Sequence, residues 1–112
     1  MCLSGGCMKF KINNRDWEIK EIDSENIKKI YEELSKEETI YVYGLTNFGQ
    51  NEILINKELC YFSKRHTLMH ELMHCYINEY VSMGMDINEE MMCDISANSH
   101  DIIHEIVEQY FK

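Results

Sequence analysis

The sequence predicts an α+β domain in which a small antiparallel or mixed sheet packs on two long helices. Three observations predict it. Two β-rich stretches with near alternation of apolar residues lie ahead of the long helices. A run from about Ser63 to Tyr80 is apolar around most of its helical circumference, and a last run from about Asn88 repeats apolar residues at helical spacing. Strands, a helix, strands and then two long helices is an α+β order.

The elements follow in chain order. Met8 begins a conventional-looking start, "MKFKINN", so residues 1–7 are expected to be a flexible tail and 8–112 a single domain, enough chain for one modest core. "KFKINNRDWEIKEI" sets Phe10, Ile12, Trp17, Ile19 and Ile22 in near alternation around Asn13 and Asn14, which tolerate turn conformations, and reads as a hairpin. "SENIKKIYEELSKEE" puts Ile27, Ile30, Tyr31 and Leu34 on one helical face, with Ser24 as the expected N-cap. "TIYVYGLTN" and "NEILIN" are strand formers separated by a turn around Phe48, Gly49 and Gln50, which fits an antiparallel pair. In the first long helix Leu68, Met69, Leu72, Met73, Cys75, Tyr76 and Ile77 call for burial on most sides, and Gly84 lies just past its end. Asn88 suits the N-cap of the last helix, whose stripe is Met91, Ile95, Ile102, Ile106 and Tyr110.

Composition narrows the class. At 45% hydrophobic and 28% charged residues, the chain has the balance of a soluble globular protein rather than a disordered one. No apolar run nears the roughly 18 to 20 residues of a membrane span, and "MCLSGGCMKF" lacks the charged and apolar regions of a secretory signal. A cytoplasmic protein with no membrane partner is expected. Cys2, Cys7, Cys60, Cys75 and Cys93 are odd in number and form no CxxC pair, which points to free, partly buried thiols rather than a disulfide framework or a thiolate zinc site. The formal charge of -9 is concentrated: between His66 and Phe111 there are nine Asp or Glu residues and no Lys or Arg. Such a field repels nucleic acid and attracts cations, either metal ions or basic stretches of a protein partner.

The stretch "TLMHELMHCYINEY" carries the chemistry. His70-Glu71-Leu72-Met73-His74 is an HExxH string, and at 3.6 residues per turn its two histidines stand on one face and can bind one ion. Glu71 is turned by about 100° and is suited to reach a water rather than the metal. Histidines in so apolar a helix would be costly to bury without a ligand role. In "NEEMMCDISAN" on the next helix, antiparallel packing through the short "VSMGMDI" loop would bring Glu90 to His74 and Asp94 near His70. Glu90 is therefore the expected third ligand, with Glu89 as its competitor, and Asp94 an acceptor that fixes one imidazole's tautomer. Three protein ligands leave a fourth position open, the pattern of catalytic rather than structural zinc. Mn²⁺ or Fe²⁺ would accept the same donors.

With its HExxH followed by Glu90 and, four residues later, Asp94, the chain resembles the gluzincin metallopeptidases. It is more closely similar to the small phage- and mobile-element-encoded metallopeptidases of the ImmA/IrrE type, a likeness extending from Tyr43 to about Ile103. The resemblance implies a zincin-like fold and a zinc-dependent endopeptidase acting on an intracellular protein, a repressor in some members. The chain is expected to depart from the family in lacking an added DNA-binding or sensory domain, and no recognisable motif precedes Thr39. In this reading zinc supplies a water of pKa about 7, and Glu71 accepts its proton and returns it to the leaving amine. "NEILIN" is the expected edge on which a peptide substrate, basic in keeping with the charge, would lie. The rival reading is a non-catalytic, zinc-stabilised regulatory or protein-binding module. His100 and His104 repeat the helical spacing off the apolar stripe and read as solvated surface, with oxyanion stabilisation as a lesser reading. His66 reads as lining the cleft or facing solvent, and Tyr43 and Tyr76, which could donate to a transition state, read as core.

Overall fold

The structure, a computed structural model, describes residues 7–81 and 88–112. Strands β1 (Cys7–Ile12) and β2 (Arg15–Ile22) form an antiparallel hairpin with Phe10 opposite Trp17. Asn13 and Asn14 both sit at positive φ, 50° and 64°, the pairing that a two-residue hairpin turn needs to match strand twist. Helix α1 (Ser24–Ser35) follows, then strand β3 (Gly44–Asn47) and strand β4 (Glu52–Asn56). Helices α2 (Tyr61–Tyr80) and α3 (Glu89–Tyr110) complete the chain. Strand β4 pairs antiparallel with β3 and parallel with β2, giving a mixed sheet in the order β1-β2-β4-β3. The α+β class with two long helices is thus present.

Alternation along the strands divides the core into two layers. Ile53 and Ile55 point to the face that receives α2 and α3, where they join Phe10, Ile12, Trp17, Ile19, Leu68 and Leu72. Leu54 points the other way and packs with Ile27, Val42 and Leu45 beneath α1. On α3 the buried positions are Ile95, Ser99, Ile103, Ile106 and Val107, so the apolar stripe is shifted slightly from the expected one. No helix among the described residues is long and apolar enough to cross a membrane.

Buried carboxylates fasten α2 at both ends. Near its start, Lys64 Nζ lies 2.8 Å from Glu21 Oε1 as an ion pair whose angle does not suit a hydrogen bond, while the Tyr110 hydroxyl donates to Glu21 Oε2 at 2.5 Å. Burial first, and the Glu21 carboxylate second, push the Tyr110 hydroxyl pKa up. Near its end, Glu79 Oε2 accepts from Trp17 Nε1 at 3.0 Å and pairs with Arg15 Nε at 2.9 Å. Asn13 closes the same corner, its backbone N–H donating to the Tyr80 hydroxyl oxygen and its side-chain amide to the Glu79 carbonyl.

Several expectations are corrected. Only Gly44–Asn47 of "TIYVYGLTN" is strand, because the partner strand ends at Asn56 and leaves the residues before Gly44 without a ladder; Ile40 is 95% exposed. "NEILIN" is interior, flanked by β2 and β3, so the open edge near α2 is β3. The N-cap of α1 is Asp23 rather than Ser24, whose backbone N–H is bonded instead by Glu58. Cys7 belongs to β1 and is disulfide-bonded, which corrects both its assignment to the tail and the expectation of free thiols; Cys60, Cys75 and Cys93 are free. Asn88 does cap α3, accepting from Met91 N–H at 2.9 Å. Gly84 and most of the "VSMGMDI" loop lie outside the described residues.

Replacing Glu79 with Ala leaves the Trp17 indole N–H and the Arg15 guanidinium without their buried acceptor and is expected to cost about 1–3 kcal/mol. Urea unfolding of Glu79→Ala beside wild type measures it.

Candidate metal centre and its groove

Helix α2 turns Thr67, Leu68, Glu71, Leu72, Cys75 and Tyr76 toward the protein and leaves His66, His70 and His74 on an exposed stripe four residues apart. Glu71, one step round from His70, falls on the border facing the sheet and is only 7% exposed. Its carboxylate is held there: Thr46 Oγ1, on the edge strand β3, donates to Glu71 Oε1 at 2.7 Å. Gly44 permits the close approach of helix and strand, since a Cβ at that position would stand 2.6 Å from Thr67 Cγ2 and 3.0 Å from the Leu54 carbonyl oxygen. Cys75, one residue past His74, is a core thiol whose pKa burial pushes up, and it faces away from the histidine stripe.

Along this side of α2 runs a groove of ≈ 430 Å³, with His66, His70 and Glu71 on one wall and Tyr31, Tyr41 and Tyr43 on the other. The tyrosine wall is anchored by Asn56, which is fully buried. Its side-chain amide donates to the Val42 carbonyl at 3.0 Å and to Ser24 Oγ at 3.1 Å, its side-chain oxygen accepts from Glu58 N–H, and its backbone N–H donates to the Tyr43 carbonyl at 2.8 Å. A buried amide with its donors and acceptor engaged fixes the path of the segment that carries Val42 and Tyr43.

The imidazoles of His70 and His74 lie with ring centroids 4.9 Å apart and planes at 78°. Zn–N bonds of about 2.1 Å in a tetrahedral site put two imidazole centroids about 5 Å apart, so the pair suits two ligand positions on one ion. Both rings are exposed, however, which removes the argument that burial demands a ligand role. What remains is spacing, orientation and the neighbouring buried carboxylate.

The partner helix sits in a different register from the expected one. Ser99 Oγ lies 3.9 Å from Met73 Sδ and Arg65 pairs with Glu108 at 2.5 Å. Asp94 lines a cavity with Tyr76 and Tyr80, about two turns of helix beyond His70. Burial of Ile95, Ile103 and Val107 sets this register; the expected one considered only the shortness of the loop. Glu90 is exposed in the first turn of α3, and the side chain of Glu89 lies outside the described residues. Among the described residues no three His, Cys, Asp or Glu side chains converge as a metal cage, so the groove brings together His66, His70 and Glu71 and does not draw in Glu90 or Asp94.

The remaining candidates separate clearly. His100 and His104 stack at 5.8 Å on the exposed side of α3, where His104 also approaches Glu108 at 3.8 Å, and neither lines the groove. His66 does line it. Tyr76 is core at 8% exposure, but Tyr43 is 58% exposed and belongs to the groove wall, against the expectation. Thr46, Asn56, Tyr31 and Tyr41 escaped the sequence reading. A strand alternation that turns Leu45 inward toward α1 signals that Thr46 faces α2, but nothing local announces its partner. The chain matches no family model, and neither a curated protein nor a solved structure matches it.

Asn56→Ala strands the Val42 carbonyl and the Glu58 N–H. A loss of about 1–3 kcal/mol in urea unfolding is expected, together with faster amide exchange at Val42 and Tyr43 than elsewhere in the sheet.

Proposed function

We propose that the chain is a zinc-dependent metallo-endopeptidase of zincin-like fold that cuts an extended segment of an intracellular protein, a phage or mobile-element regulator being one such substrate. The observation that carries this reading is the buried Glu71 carboxylate in the wall of a groove next to an open strand edge, on the same helix as the exposed imidazole pair of His70, which also lines the groove, and His74. The succession of HExxH, Glu90 and Asp94, in which the sequence resembles ImmA/IrrE-type peptidases, supports it as well.

His70 and His74 would hold the ion; Glu90, which the register of α3 sets apart from them, would become the third ligand through a movement of the first turn of α3 on binding. When bound, zinc supplies a Lewis acid that brings the pKa of a water to about 7 and polarises a carbonyl. Thr46 occupies Oε1 of Glu71, which leaves Oε2 to accept the proton of the attacking water and pass it to the leaving amine. Strand β3, rather than β4, offers backbone groups on which an extended peptide would pair. The groove wall excludes bulk water from one side of that peptide.

Metal analysis of protein purified without chelator, combined with hydrolysis of denatured casein, tests the reading. About one zinc per chain is expected in wild type, Glu89→Ala and Glu71→Gln, and loss of it in Glu90→Ala. Glu71→Gln is expected to lower hydrolysis by at least about 100-fold. Zinc retained without hydrolysis would favour the non-catalytic module, and a Glu71→Gln variant that cuts like wild type would refute the role given to Glu71.

A further inference from the structure

Resting on the peptidase reading, we infer that the tyrosine-walled groove is the subsite that selects the substrate, and that it takes a bulky apolar side chain, aromatic above all, from a basic peptide extended along β3. Four observations lead there.

The groove is preformed. The buried hydrogen bonds of Asn56 hold its outer wall, so a ligand need not order that segment. The wall also displays more aromatic surface than the fold uses: Tyr41 and Tyr43 are 41% and 58% exposed and meet edge to face at 5.0 Å. With Tyr31 they present ring faces and edges of the kind that bind another ring or a large aliphatic group.

The lining is also nearly neutral. Among the described residues no Lys or Arg borders the groove, and the one carboxylate that does, Glu71, is already engaged by Thr46 and is needed for the proposed proton transfer. A cationic side chain would therefore find no free partner inside, whereas an apolar one would bury its surface against tyrosine. Outside the groove the balance reverses. The eight acids other than Glu71 between His66 and Phe111, and Glu37 and Glu38 just before Thr39 of the groove, favour basic residues on either side of the one that enters.

Position links the groove to the chemistry. Gly44, the first residue of β3, borders the same cavity as His70 and Glu71. A peptide paired on the open side of β3 turns alternate side chains toward α2, so one of them enters between Tyr31 and Tyr43 while its backbone passes the proposed catalytic carboxylate.

The test is a fluorescence titration of the metal-free wild-type chain, which cannot hydrolyse by the proposed route, with short dye-labelled extended peptides. They carry lysine flanks around a central Phe or Ala, and glutamate flanks around Phe. The lysine-flanked Phe peptide is expected to bind at least about tenfold tighter than its Ala counterpart, and tighter than the glutamate-flanked one. In Tyr43→Ala and Tyr41→Ala, exposed positions whose folding a circular dichroism melt checks, the Phe-to-Ala affinity ratio should fall toward one. Equal binding of the Phe and Ala peptides, no binding at all, or a ratio unchanged by both substitutions would overturn the inference. Incubating the zinc-loaded chain with the same peptides separates the two claims. Selective binding without cleavage counts against the peptidase reading, and cleavage without selectivity counts against the subsite.

Discussion

Helix α2 is held at both ends to the hairpin of β1 and β2, by Glu21 with Lys64 at the start and by Glu79 with Arg15 and Trp17 at the end. Ion pairs built on a buried carboxylate contribute modestly to net stability, because desolvation offsets much of their attraction, but removing the carboxylate's partners is costly. Their larger effect is to limit sliding and rotation of a helix whose apolar face alone would tolerate several positions. With α2 so fixed, Thr67 meets Gly44, Glu71 meets Thr46, and the stripe of His66, His70 and His74 is turned outward. The candidate site depends on that one rotational setting.

The setting separates two kinds of group that the proposed hydrolytic centre needs apart. The imidazoles face outward, where an ion and a substrate can reach them, while the carboxylate is drawn in and oriented by a hydroxyl from the neighbouring strand. A carboxylate that must exchange a proton repeatedly gains from being held at a fixed angle, since reaching the right geometry is part of the barrier. The strand that orients Glu71 is also the open edge of the sheet, so one rigid element both holds the proposed base and offers the surface available to a peptide. Across the groove, Asn56 performs the matching task for the tyrosine wall.

Much of this was legible locally. The paired asparagines at positive φ, the capping asparagine at position 88 and the alternation in β2 each follow from interactions within a few residues. The HExxH spacing likewise announces a shared helical face. The features that escaped are non-local. Strand order turns on a parallel pairing of β2 with β4 that joins residues 34 apart in sequence, such as Glu18 and Glu52, so "NEILIN" looks like an edge in sequence yet is interior in the sheet. The register of α3 comes from packing Ile95, Ile103 and Val107, and moves Asp94 to Tyr76 and Tyr80 rather than to His70. Thr46 and Asn56 are ordinary polar residues in sequence; their importance lies in what they touch.

The central claim is that His70 and His74 ligate one ion beside the Glu71 carboxylate. X-ray absorption at the zinc edge of the zinc-loaded chain addresses it most directly. The account predicts light-atom ligands at about 2.0–2.1 Å with the outer-shell scattering of two imidazoles, reduced to one in His70→Ala and in His74→Ala. Sulfur scattering, or an imidazole signal that both substitutions leave intact, would contradict it.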